Sequence, residues 1–187
     1  MLTLLNVNTT LYRGKRVHDD YINAYRFQLL TGLRPGELLG LRWADIKGST
    51  VYISRAVNIL GEETQGKNQN AIRAFALSER ARAVLDEQRQ ATGAGESVFE
   101  LVNEAYYYKR WQVYCRANGI PPISVYELRH SFVSVIKSLP AGEVKGLVGH
   151  SQSMDTFGVY SHALSGDAAA TADDVNAAFD RVLGREI

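Results

Sequence analysis

The chain has 187 residues, 45% hydrophobic and 22% charged, the profile of one globular domain, which excludes a disordered segment and a string of domains. A single cysteine, Cys115, excludes an intramolecular disulfide, and with no export leader or long apolar run in the sequence, the expected compartment is the cytoplasm and no membrane partner is expected. The net charge is +1, yet residues 1–154 hold 19 Lys and Arg against 14 Asp and Glu, whereas residues 155–187 hold 2 against 6: a cationic body precedes an acidic tail.

Residues 1–17 show no clear period and read as an irregular or extended lead-in with Arg13, Lys15 and Arg16. From Asp19 or Asp20 as a cap, Ile22, Tyr25, Leu29 and Leu30 recur at helical spacing until Gly32. Pro35 suits the first turn of a second helix running through Leu41 and Trp43. Turn chemistry at 47–50 is followed by an extended run at 51–54, and a second extended candidate at 71–77 alternates around Arg73, Phe75 and Leu77, so a small antiparallel sheet is expected. The polar stretch 61–70 between them reads as a hairpin connection presenting Lys67. Ser78 should cap a helix to about residue 92 and Asn103 another stopping near Gly119.

Ser124 and Glu127 form an S-x-x-E pattern that predicts a capping box before Leu128, Phe132, Val135 and Leu139. Two short helices are expected next, one holding Val144, Leu147 and Val148 and one over 154–160. An amphipathic helix carrying Val175, Ala178, Phe179, Val182 and Leu183 closes the chain. The fold class is α+β, mainly helical with a small antiparallel sheet.

Three strings carry chemistry. In Thr31-Gly32-Leu33-Arg34-Pro35-Gly36-Glu37, Arg34 lies at a glycine-flanked break between two apolar helices, and Glu37, one turn on, is placed to hold its guanidinium; a purely structural Arg–Glu pair explains the string equally well. In Tyr126-Glu127-Leu128-Arg129-His130, Tyr126, Arg129 and His130 share a face near a helix start, which suits an anion, although a surface arginine or a satisfied core tyrosine is the commoner reading of such a string taken alone. In Leu147-Val148-Gly149-His150, the histidine is followed ten residues later by Tyr160. His150 and His162 are poorly spaced for a metal, and neither a Walker nor a Rossmann glycine pattern is present, so no metal and no cofactor is expected.

Taken together, in this order and with Lys67 between the first two, these strings resemble the phage-integrase family of tyrosine recombinases over roughly residues 18–165. TGLRPGE is similar to the family's first arginine box, GKNQNAIRAFALS to its lysine hairpin, YELRHSF to its H-x-x-R box, and LVGHSQSMDTFGVYSH to its histidine-to-tyrosine segment. The resemblance implies the tyrosine recombinase catalytic-domain fold, with Arg34 and Arg129 as phosphate-binding arginines, Lys67 as general acid, His150 as a further hydrogen-bond donor and Tyr160 as nucleophile. Tyr126 stands where the family usually has histidine.

What this implies is site-specific DNA recombination for a mobile element, by strand cleavage and rejoining through a 3′-phosphotyrosine intermediate without metal. The partners implied are double-stranded DNA and further copies of the chain, as a tetramer with the C-terminal helix docked on a neighbour. The whole of 1–187 reads as one catalytic domain with 166–187 as its acidic tail, and the residues before Arg34 are too few for the family's N-terminal DNA-gripping domain. Three other readings compete: an inactive DNA-binding relic, which Tyr126 favours; a type IB topoisomerase-like enzyme; and a protein-interaction domain, which the low net charge favours.

Overall fold

The computed structural model describes residues 1–64, 72–149 and 166–184. In chain order its elements are α1 (Leu2–Asn6), the strands β1 (Thr9–Tyr12) and β2 (Lys15–His18), α2 (Ile22–Thr31), α3 (Pro35–Leu39), a 3₁₀ turn (Trp43–Asp45), β3 (Ile46–Lys47), β4 (Thr50–Ile53), β5 (Ala56–Val57), β6 (Glu63–Thr64), β7 (Arg73–Ala76), α4 (Glu79–Thr92), α5 (Glu104–Ala117), α6 (Tyr126–Ile136), α7 (Ala141–Val148) and α8 (Gly166–Leu183). This is the expected mainly helical α+β architecture.

Helix α2 is the axis of the core. It is buried nearly all round, as expected of a helix whose apolar residues do not keep to one stripe. Two of its buried polar side chains are tied to neighbours: Gln28 Nε2 donates to Leu33 O at 3.2 Å, Tyr107 Oη donates to Gln28 Oε1 at 2.8 Å, and Arg26 Nε donates to Leu4 O at 3.0 Å. Against α2 pack α4 and α6, and Tyr25 stacks on Tyr107 of α5 with ring centroids 5.2 Å apart.

The helix ends where Gly32 turns left-handed, at φ 65°. Any Cβ there would lie 2.3 Å from Phe132 Cδ1 of α6. Backbone conformation and lack of space therefore both require glycine at this point.

The central sheet has the order β3-β4-β7, all antiparallel, with Val51 opposite Phe75 and Ile53 opposite Arg73. Ser78 and Asn103 cap α4 and α5 as expected, accepting from Ala81 N and Tyr106 N. Three expectations need correction. The lead-in expected to be irregular or extended is in part extended, as the β1–β2 hairpin, but opens with a helix that was not expected; it is pinned by Tyr114 Oη on Val7 O (2.7 Å) and Asn118 Nδ2 on Thr9 O (2.9 Å). The second helix stops at Leu39, and Trp43 belongs to a separate 3₁₀ turn. The Ser124–Glu127 capping box does not form: α6 starts one residue later than that box requires, with Val125 as its N-cap, and the Glu127 N–H bonds to the Ser124 carbonyl instead. An unforeseen two-stranded ribbon, β5–β6, lies within the connection between β4 and β7. The expected helix over 154–160 lies outside the described residues.

Helix α8 buries Val175, Ala178, Phe179 and Leu183 against its own chain, packing on α4, α6 and β7, with the Phe179 ring 6.3 Å from that of Phe132. An Arg80–Asp180 ion pair at 2.5 Å fixes its outer side. The apolar side expected to meet a neighbouring protomer is thus covered within the chain.

Candidate active site

Arg34 is held at the N-terminus of α3 by the residue one turn on. Its backbone N–H donates to Glu37 Oε2 at 2.9 Å and its Nη1 to Glu37 Oε1 at 2.8 Å, while Nη2 reaches Gly149 O at 3.3 Å. The side chain is 36% exposed, so part of it stays open to solvent. The expected role of Glu37 in holding Arg34 is what the geometry shows.

Arg129 comes from α6 and is buried. Its Nη1 donates to Gly32 O and its Nη2 to Val148 O at 2.6 Å. Burial, reinforced by the charges of Arg34 and Arg73, pulls the guanidinium down to about 10. Along α6, Arg129 is buried while Tyr126 and His130 are exposed, so the three differ in depth. Tyr126 still lies near enough for its phenol to act on the charge of Arg129.

Arg73 was not among the candidates read from the sequence. It projects from β7 with 4% of its side chain exposed, and its fork grips Glu37: Nη1 to Oε1 at 2.9 Å and Nη2 to Oε2 at 2.8 Å. Its Nε donates to Leu147 O at 2.9 Å. The signal that could have found it is the alternation Arg73, Phe75, Leu77, which puts a charged residue on the side of the strand that faces the core.

Two features follow. Three successive carbonyls at the end of α7, those of Leu147, Val148 and Gly149, each accept from a different arginine, namely Arg73, Arg129 and Arg34. Cations at a helix C-terminus satisfy its orphan carbonyls and complement its dipole. At the centre of the cluster, burial alone would push the Glu37 carboxyl up, yet the Arg73 fork and then Arg34 hold it down at about 2. Three guanidiniums around one carboxylate leave a net positive site, suited to an anion. Lys67, His150 and Tyr160 lie outside the described residues. Among the described residues, no three His, Cys, Asp or Glu gather as metal ligands, and no helix is long and apolar enough to cross a membrane.

Comparison with known sequences decides the family, because the model of the Phage integrase family matches residues 7–166. The chain belongs to the phage integrase family. It is 25% identical to the ICEBs1 integrase of Bacillus subtilis, over 81% of this chain and 47% of that protein. It is 24% identical to a "tyrosine recombinase XerC-like" protein of Caldanaerobacter subterraneus, over 89% of this chain and 51% of that one. The chain thus spans about half the length of these curated relatives. Among solved structures, the Tn1549 transposon integrase in complex with transposon right-end DNA matches at TM-score 0.62 and 19% identity, over 92% of this chain and 62% of that chain. The lambda integrase catalytic core matches at 0.56 and 18%, over 72% of this chain and 82% of that one. The family member described here therefore has the fold of integrase catalytic domains.

Proposed function

We propose that the chain is the catalytic domain of a site-specific recombinase that breaks and rejoins double-stranded DNA for a mobile element. The observation that carries this is the arginine cluster: Arg34 and Arg129 converge on the end of α7, and Arg34 is part exposed. In the proposed reaction the Tyr160 phenol oxygen attacks a backbone phosphorus and loses its proton, the bond from phosphorus to the 5′ oxygen breaks, and Lys67 protonates that leaving oxygen. The product is a 3′-phosphotyrosine and a free 5′ hydroxyl, and attack by a second strand's 5′ hydroxyl reverses the step.

Charge grows on the two non-bridging oxygens in the transition state, and rigid guanidinium forks are matched to them. Arg129 spends two of its five N–H groups on Gly32 and Val148, which fixes its plane and leaves others for phosphate. His150, directly after Gly149, adds a donor in this reading, and no metal or cofactor enters any step.

The reading extends to assembly, for which the lambda integrase tetramer bound to a Holliday junction, matched at TM-score 0.56 and 18% identity over 73% of this chain and 42% of that one, is the support. A tetramer on DNA in the cytoplasm, with α8 exchanging its cis contact for the same contact on a neighbour, completes it. Residues 1–187 act in it as one catalytic domain.

The competing reading is a DNA-binding relic, favoured by Tyr126, since a phenol donates a hydrogen bond to phosphate but is a poor proton acceptor at neutral pH. Incubation with nicked suicide duplexes from the source locus tests both. The wild-type chain is expected to form a covalent adduct that Tyr160→Phe abolishes and that Tyr126→Phe slows about tenfold, the loss of one hydrogen bond to the transition state. An adduct that appears only with Tyr126→His decides for the relic.

A further inference from the structure

We propose that Arg73 is a positioning residue of this site: by saturating Glu37 and bonding to the end of α7, it fixes the direction in which Arg34 presents its guanidinium. This rests on the recombinase reading above.

A carboxylate offers about four lone-pair sites to donors, and all four of Glu37's are taken. Oε1 accepts from Arg34 Nη1 and Arg73 Nη1, and Oε2 accepts from the Arg34 backbone N–H and Arg73 Nη2. Because Arg73 occupies half of these, Arg34 can engage Glu37 with only one guanidinium nitrogen. Its other terminal nitrogen is thereby turned to Gly149 O and the open side.

Without Arg73, a carboxylate with 3% of its side chain exposed would lose half its partners. Two relaxations are open to it. Arg34 swings to fill both oxygens and leaves Gly149, or Glu37 takes up a proton and releases Arg34 altogether; either misdirects the phosphate-binding fork. The Nε bond to Leu147 O adds a second constraint, since it ties strand β7 to the helix end from which Arg34 and Arg129 also hang. Arg73 thus couples the anchor of one phosphate ligand to the backbone shared by both. Among the described residues, the charges whose fields meet at Glu37 are Arg73 and Arg34, with Arg129 beyond them.

The test uses the full chain as wild type, Arg73→Lys, Arg73→Met and Arg73→Met/Glu37→Gln, on nicked duplex DNA. It reads adduct rate, duplex affinity and thermal midpoint across about pH 5 to 9. Arg73→Met should slow adduct formation at least about 100-fold and weaken duplex affinity. Its acid limb should move to higher pH, because Glu37 without the fork binds its proton more readily. Arg73→Lys, which keeps the charge but not the fork, should recover part of the rate.

The double variant removes the buried carboxylate together with its fork, so Glu37 is not left stranded, and it should regain thermal midpoint without regaining cleavage. A double variant that recovers both, or an Arg73→Met rate within tenfold of wild type with an unmoved pH profile, overturns the proposal. If Arg73→Met does not fold, the lysine and double variants decide the question by the same criteria. Absence of any wild-type adduct, with duplex affinity still falling in the Arg73 series as described, would overturn strand cleavage while upholding the positioning role. An adduct indifferent to Arg73 would do the reverse.

Discussion

Arg34 and Arg129 carry the same guanidinium in different surroundings, and the difference separates what each contributes to folding from what it contributes to function. Arg129 satisfies two interior carbonyls, those of Gly32 and Val148. Arg129→Ala leaves both unpaired, at an expected cost of about 2–4 kcal/mol in urea unfolding. Arg34 is part exposed, so Arg34→Ala should cost no more than about 1 kcal/mol. Both variants should still lose adduct formation by orders of magnitude. Equal unfolding costs would contradict the assignment of Arg129 as the structural member of the pair. Both arginines were legible in the sequence because each sits in a string whose neighbours, the Gly32 break and the Leu128/Phe132 stripe, describe its local structure. For Arg73 the strand alternation marks an inward-facing charge but not what it meets, since its partner Glu37 lies 36 positions away and only the fold joins them.

At the scale of elements, the helices with local caps were readable: Ser78 and Asn103 bond to their own first turns, and a cap is a property of a few consecutive residues. The Ser124–Glu127 pattern failed because it competes with the packing of Val125, which is buried at the start of α6. The first helix, and the pairing of the two strands after it, were missed for a related reason. Their anchors, Tyr114 on α5 and Asn118 at its C-cap, are more than a hundred positions distant, and a 5-residue helix has no period long enough to read. Helix α8 was foreseen by its apolar spacing, but spacing cannot say which surface the stripe meets. Its Phe179 is fully buried against the chain's own Phe132, so Phe179→Ala should cost about 3–5 kcal/mol, as large aromatic truncations in a core do. Urea unfolding of the isolated chain checks this. A cost below about 1 kcal/mol would mean that α8 leaves this groove readily and that its home is elsewhere.

The site as a whole is assembled from separated stretches of chain: the α2–α3 junction, β7, α6 and the end of α7. Binding at such a site stabilises the entire domain, because the donors exist as a group only in the folded state. The three arginines also repel one another: the charges of Arg34 and Arg73 both depress Arg129, and the single Glu37 offsets only part of this. An anion at the exposed part of Arg34 relieves that repulsion and takes up unused N–H groups. Inorganic phosphate should therefore raise the thermal midpoint without any DNA. At about ten times its dissociation constant, the expected gain is about 1.4 kcal/mol, which for a domain of this size corresponds to about 3–6 °C. Sodium chloride at matched ionic strength should not reproduce the shift, since screening weakens the repulsion without supplying acceptors. Arg34→Ala should remove most of it while lowering the starting midpoint only slightly, because Arg34 is part exposed and contributes little of the folding energy. A phosphate shift of the same size in wild type and Arg34→Ala would place the anion elsewhere on the cationic body and detach the arginine cluster from phosphate recognition.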